Sequence, residues 1–126
     1  MSTFRWLSPL ILLFIFSCDK PLPDLEGIDL ERWREDRNAC HNIRKSMKAA
    51  LEEEMEKLLA LNQMQIVNLL GRPDQNELST RNQKFFYYYI DPAPACGVAS
   101  DSVTERLVIR FNAVGLAKEI SVEPSL

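Results

Sequence analysis

The sequence predicts an α+β domain in which two N-terminal helices, one long and one short, pack on an antiparallel sheet of about four strands. Up to Leu70 the apolar residues recur at helical spacing, in steps mostly of three or four. After Gly71 they alternate with a period of two, and β-branched and aromatic residues replace helix formers. The chain has 126 residues, 46% of them hydrophobic and 26% charged, as expected for one globular domain.

The long helix is predicted from Asp29, a plausible N-cap, to Leu61. Its opposite face carries Lys and Glu, including Lys48 and Glu52 four residues apart, so that face is expected in solvent. The apolar stripe consists of Leu30, Trp33, Cys40, Ile43, Met47, Leu51, Met55 and Leu58.

The short helix is expected to begin at Asn62, with Gln65 completing a capping box, and to end before Gly71 and Pro73. A long connection at residues 91–106 separates two predicted strand pairs. The four strands are predicted at residues 77–80, 85–90, 107–111 and 116–122.

Residues 1–17 have the pattern of a signal peptide. Arg5 gives a charged start, residues 6–16 are almost wholly apolar, and the small residue Ser17 precedes Cys18. The apolar run is too short for a membrane span, which needs ~20 helical residues.

Residues 15–18, Ile-Phe-Ser-Cys, resemble the lipobox of bacterial lipoproteins. The resemblance implies cleavage before Cys18 and acylation of its thiol, and two or more acyl chains anchor a protein stably in a membrane. The alternative is an ordinary secretory signal with an incidental Cys18. Residues 18–28 contain two prolines, a glycine and acids, so we expect a flexible tether before a single domain at residues 29–126.

Cys40 and Cys96 then remain as an even pair in a compartment where disulfides persist, so we expect them to form a disulfide. Closing a loop of about 56 residues stabilises a fold by ~4 kcal/mol in the chain-entropy model. The alternative is two free buried thiols.

Residues 69–74, Leu-Leu-Gly-Arg-Pro-Asp, precede an aromatic strand, a cysteine-bearing loop and a strand pair that starts at residues 107–115. This order resembles the BamE/SmpA-type lipoproteins, whose superfamily shares its fold with β-lactamase inhibitory proteins. The likeness covers roughly residues 61–122 and implies a helix layer on an antiparallel sheet. The long charged helix departs from the BamE pattern, and no residue of a BamE partner-binding motif is present, so no binding residue is carried over.

Catalysis and cofactor binding are not expected. Cys40 and His41 are neighbours that point about 100° apart on a helix, and the chain has one His, so neither a triad nor a metal-ligand set is completed. We expect no catalytic residue, metal, other cofactor or small-molecule substrate. Removing Arg5 with residues 1–17 takes the formal charge from −3 to −4, which argues against nucleic acid as a partner.

The aromatic strand is the candidate partner-binding surface, with Phe86, Tyr87, Tyr88 and Tyr89 as candidate contacts. Alternation sends Tyr87 and Tyr89 to one face and Phe86 and Tyr88 to the other, and helices cover only one face of a two-layer domain. The face left open would favour a protein partner. The alternative is that neighbouring side chains or the 91–106 connection cover it.

The sequence therefore predicts a lipid-anchored, non-enzymatic protein of the bacterial cell envelope, facing the periplasm or the surface, that binds another envelope protein in assembly or maintenance of the outer envelope. The alternative function is inhibition of a secreted or periplasmic hydrolase by docking of the sheet face.

Overall fold

A computed structural model describes residues 21–97 and 103–125. It confirms the α+β class, with helices N-terminal to an antiparallel sheet of four strands in the order β1-β2-β3-β4. The α-helices of the described residues are α1 (Leu30–Glu35), α2 (Ile43–Ser46), α3 (Lys48–Glu54) and α4 (Gln63–Leu70). The strands are β1 (Gln75–Leu78), β2 (Lys84–Tyr89), β3 (Thr104–Phe111) and β4 (Ala117–Ser125).

The long N-terminal helix is the main difference from the prediction, because residues 29–61 form three short α-helices with 3₁₀ turns at Arg37–Ala39 and Met55–Leu58. The first break comes at Asn38 and Asn42, whose φ angles of 59° and 58° are left-handed. Asparagine tolerates this region better than most residues. The apolar spacing continues across the break, so periodicity alone did not reveal it.

The short helix α4 agrees with its prediction in detail. The Asn62 side chain accepts from the Gln65 backbone N–H, and the Gln65 side chain accepts from the Asn62 N–H, both at 2.9 Å. Gly71 ends the helix with φ of 80°, a conformation that favours glycine. Leu61 and Ile66 lie in the same buried cluster on either side of the cap.

The core lies between the helices and one face of the sheet. Phe86 pairs in register with Ile109, and Tyr88 with Leu107, so the even positions of β2 and the odd positions of β3 share the helix-covered face. The rings of Phe86 and Phe111 meet edge to face, with centroids 4.7 Å apart. Seven of the seventeen residues in the buried cluster lie on the strands or directly follow β2, and the helices supply most of the rest.

The folded part begins earlier than predicted, because residues 25–28 do not form a free tether. Leu25 and Ile28 are 3% and 8% exposed and belong to the core cluster. The Glu26 N–H donates to the Glu54 carboxylate, and Lys57 Nζ donates to the Asp24 carbonyl at 3.2 Å. The tether was predicted from the prolines and acids of this segment, but its apolar residues Leu25 and Ile28, three positions apart, both pack into the core.

Candidate functional site

A buried ionic cluster joins the helices to the sheet at the Tyr89 end of β2. The Asp74 side chain is fully buried, and its carboxylate accepts from Arg44 Nη1 at 2.6 Å. It also accepts from the backbone N–H groups of Asn38 at 3.0 Å and Tyr89 at 2.8 Å. One carboxylate therefore fixes the first helical break, helix α2 and strand β2 relative to each other.

Arg44 and Asp36 complete this cluster. The Asp36 carboxylate caps the start of α2 by accepting from three backbone N–H groups, those of His41, Ile43 and Arg44, at 2.9 to 3.1 Å. Arg44 Nε donates to the Trp33 carbonyl at 2.9 Å, and its guanidinium lies 4.8 Å from the Trp33 ring centroid. A buried arginine with this many fixed partners is positioned for structure rather than for proton transfer.

The disulfide predicted from the sequence lies beside the ionic cluster. Cys40 and Cys96 are bonded, with Sγ atoms 2.02 Å apart and Cα atoms 5.5 Å apart. The Ala93 N–H also donates to the Asn38 carbonyl at 2.9 Å. We call the region formed by Asp36, Arg44, Asp74 and the Cys40–Cys96 bond the locked corner.

The structure buries all four candidate partner-binding residues of the aromatic strand. Phe86 and Tyr88 are 4% and 0% exposed because they point into the core. Tyr87 and Tyr89, on the outward face, are 9% and 4% exposed. The outward face of the aromatic strand is therefore covered, as the alternative interpretation of the sequence had it. These four side chains offer little surface to a partner.

Two kinds of neighbour cover the outward tyrosines. Tyr89 packs with Ala39, Ala93 and Cys96, which belong to the locked corner or adjoin it. Over Tyr87, the Arg106 guanidinium carbon lies 3.9 Å from the ring centroid. The Tyr87 ring also stacks on Phe85, with centroids 6.2 Å apart, and its hydroxyl donates to Glu77 at 2.9 Å.

The two central tyrosines are held in their neutral form. Burial raises the pKa of Tyr88 far above its usual value, and the nearby Asp74 charge raises it further. Its hydroxyl donates to the Gly71 carbonyl at 2.7 Å. Burial also raises the pKa of Tyr87, with a second contribution from its hydrogen bond to Glu77. Neither group is prepared for acid–base work near neutral pH.

The opposite end of the sheet is open and apolar. Exposed apolar side chains lie on the β3–β4 turn, on the connection before α4 and on the first turn of α4: Leu59, Met64, Val114 and Leu116, exposed by 38% to 78%. An antiparallel bridge between Asn62 and Leu116 joins the turn to the connection. An open hollow of about 300 Å³ lies there, lined in part by Leu59, Leu116 and Lys118. We call these four apolar side chains the open end.

Cys40, which was considered with His41 for metal or nucleophilic chemistry, is bonded to Cys96 in the disulfide. His41 is exposed, and its backbone N–H donates to the Asp36 carboxylate. Glu52 and Glu53 are exposed on α3, and Glu52 faces Lys48 at 3.9 Å. Within residues 21–97 and 103–125, no three His, Cys, Asp or Glu side chains are grouped as metal ligands.

The pairing of Arg44 with Asp74 was not predicted, although each residue has a position in the sequence that gives some indication of it. Arg44 lies four residues after Cys40 and three before Met47, so a charged residue interrupts the apolar stripe. Such a position calls for a buried counter-charge. Asp74 follows the helix stop Gly71-Arg-Pro, where an acid would ordinarily be exposed, and only the fold shows that it reaches Arg44.

No family model, curated protein or solved structure matches the chain. Cys18, the predicted lipidation site, lies outside the described residues. In the described part of the chain, no helix has the length and apolar character needed to cross a bilayer.

Proposed function

We propose that the protein is a lipid-anchored, non-enzymatic component of the bacterial cell envelope that binds another envelope protein. The observation that carries the proposal is the sequence of residues 1–18, a charged start, a short apolar run and Ile-Phe-Ser-Cys before the tether. The Cys40–Cys96 bond agrees with a compartment outside the cytosol, since disulfides persist there.

The anchor is tested by replacing Cys18 with Ser in the full chain and following its location in a bacterial host. We expect the wild type in the membrane fraction, with an intact mass that corresponds to cleavage before Cys18 plus acyl chains. The C18S variant should lose the acyl mass and leave the membrane fraction. A wild-type protein that is soluble and unacylated would contradict the anchor and favour an ordinary secretory signal.

The partner surface proposed here is the rim of the outward sheet face rather than the buried tyrosines. Phe85 is half-buried and stacks on Tyr87, and Arg110 lies beside it in register on β3. Arg110 Nε pairs with the exposed carboxylate of Glu119 at 3.0 Å. An aromatic ring beside an arginine is a composition enriched in protein interfaces.

Photocrosslinking tests this surface in the membrane-bound protein. A photoreactive residue at Phe85 should give one defined adduct, whereas the same residue at the exposed Glu53 on α3 should not. An envelope-assembly protein in the adduct supports the proposal. A hydrolase that is crosslinked in a one-to-one ratio with the protein supports the inhibitor alternative. The same adduct pattern from both positions would contradict a binding site on this face.

A further inference from the structure

We infer that the open end is a membrane-contact surface that rests on the bilayer to which the chain is anchored, so that the locked corner points away from it. This inference rests on the proposed lipid anchor at Cys18. It adds an orientation of the domain and names the apolar side chains that touch lipid.

The length of chain between anchor and core limits how far the domain stands from the membrane. Leu25 is buried in the core, so six residues, and hence seven Cα–Cα steps, separate the acylated Cys18 from a fixed point of the fold. Fully extended, these residues span at most about 25 Å. That reach is about the diameter of a small domain, so part of the domain surface must lie near the lipid headgroups.

The point at which the anchored segment joins the fold indicates which part of the domain surface lies nearest the membrane. The carbonyl of Asp24 accepts from Lys57 Nζ at 3.2 Å, and Lys57 belongs to the 3₁₀ turn that ends one residue before Leu59. The next residue, Ala60, donates its N–H to Ala117 at 2.8 Å, beside Leu116. The anchored segment therefore enters next to the open end.

The composition of this end suits a lipid interface. Val114 and Met64 are 78% and 67% exposed, and with Leu59 and Leu116 they group four exposed apolar side chains at one end of the sheet. Lys118 is exposed and lines the hollow, whereas the ammonium of Lys57 is paired with Glu54. A basic side chain beside apolar ones suits a surface that contains anionic lipid. A protein partner or a second copy of the chain at this end would be the competing occupants.

The strand β3 provides a matched pair of positions for the test. Val103 precedes the strand and is 57% exposed, and Val114 follows it on the turn at the open end. An eight-residue strand separates the two ends by about 27 Å. Each tryptophan variant therefore replaces an exposed valine, so the two variants differ mainly in the end of the sheet at which the tryptophan lies.

The experiment uses the acylated mature chain, purified from membranes and reconstituted into vesicles of phosphatidylcholine and phosphatidylglycerol. The V114W and V103W variants are compared in ordinary vesicles and in vesicles whose phosphatidylcholine carries bromine on its acyl chains, a short-range quencher. Trp33 is fully buried and contributes the same background to both. A third variant, V114W with L116Q, tests whether the neighbouring apolar contact is needed for insertion.

We expect bromolipid to lower V114W fluorescence by about twofold, as for a side chain at the acyl boundary, and to leave V103W near the wild-type background. The L116Q change should reduce the quenching of V114W. Equal quenching at both positions, quenching of V103W alone, or none at either would overturn the inference, and the last two would favour a protein at this end. Intact mass of the same samples reports the acyl chains separately: a chain without them refutes the proposed anchor, and this inference with it.

Discussion

The two ends of the sheet differ in where they place charged and apolar side chains: one end buries charges and the other exposes apolar groups. At the locked corner, Asp74 and Arg44 are buried charges whose partners are fixed by hydrogen bonds and by an adjacent disulfide. At the open end, Val114 and Leu116 are apolar and exposed beside a hollow. Burial of a charge is tolerated only with partners, and exposure of apolar surface is usual only in small amounts. The comparison teaches that the buried charges and the covalent cross-link lie at one end of the sheet, while the other end, which we propose as the contact surface, has exposed apolar side chains.

The largest expected effect is the loss of the counter-charge at the locked corner. The D74N variant leaves Arg44 buried without its carboxylate, which should lower the free energy of unfolding by about 3 to 5 kcal/mol. Urea unfolding measures it. The control is E119Q, which removes the exposed partner of Arg110 and should cost under about 1 kcal/mol. Similar losses in the two variants would refute the contrast.

Removal of the disulfide should have an effect of nearly the same size. Replacing Cys40 and Cys96 together with Ala opens a loop of 56 residues. The chain-entropy model gives a loss of ~4 kcal/mol. Urea unfolding of the wild type under reducing conditions should reproduce the midpoint of the double variant, and a midpoint that does not respond to reductant would mean that the bond does not form in solution.

A smaller effect is expected from Tyr88, which links the core to the end of α4. The Y88F variant loses the hydrogen bond to the Gly71 carbonyl and should be about 1 kcal/mol less stable at neutral pH.

The pH dependence of Y88F follows from the raised pKa of Tyr88 in the folded state. The unfolded chain ionises this tyrosine near its ordinary pKa of about 10, so the protonated hydroxyl stabilises the fold below that pH and this contribution is lost as pH rises above it. The deficit of Y88F relative to wild type should therefore shrink above about pH 10. Unfolding measured from pH 7 to pH 11 checks this, and a constant deficit would contradict it.

The smallest effect on stability is expected at the open end. The V114Q variant changes a side chain that is 78% exposed and should alter the free energy of unfolding by less than about 0.5 kcal/mol. The matched core change is L107A on the preceding strand, where loss of a fully buried side chain should cost about 2 to 5 kcal/mol. A large loss in V114Q would mean that the open end is part of the folded core.

Local chemistry explains which parts of the fold the sequence predicted. The capping box of Asn62 and Gln65 and the stop at Gly71 are short-range signals, and α4 has both. The strands were located because β-branched and aromatic residues replace helix formers after Gly71, although β1 begins and ends two residues before its predicted range of 77–80. The disulfide followed from counting cysteines outside the cytosol, and the structure pairs Cys40 with Cys96.

The parts that were missed depend on contacts distant in sequence. Asp36 and Asp74 accept hydrogen bonds from backbone N–H groups at and after the first helical break, and these partners lie up to 36 residues away in sequence. Hydrophobic periodicity gives no information about such contacts. The cover over Tyr87 comes from Arg106 on the next strand. The open end was not predicted either, because Leu59 and Leu116 line the same hollow only in the fold, where Asn62 pairs with Leu116, 54 residues along the chain.

Amide hydrogen exchange tests the contrast between the two ends most directly, because each end has an amide bound to a side-chain oxygen. The Asn38 N–H donates to Asp74 at 3.0 Å in the locked corner, and the Val114 N–H donates to Asn112 at 3.2 Å at the open end. We predict that Asn38 exchanges only through global unfolding, with the full free energy of unfolding as its protection, while Val114 exchanges through local opening. Equal protection at the two amides, or faster exchange at Asn38, would contradict the account.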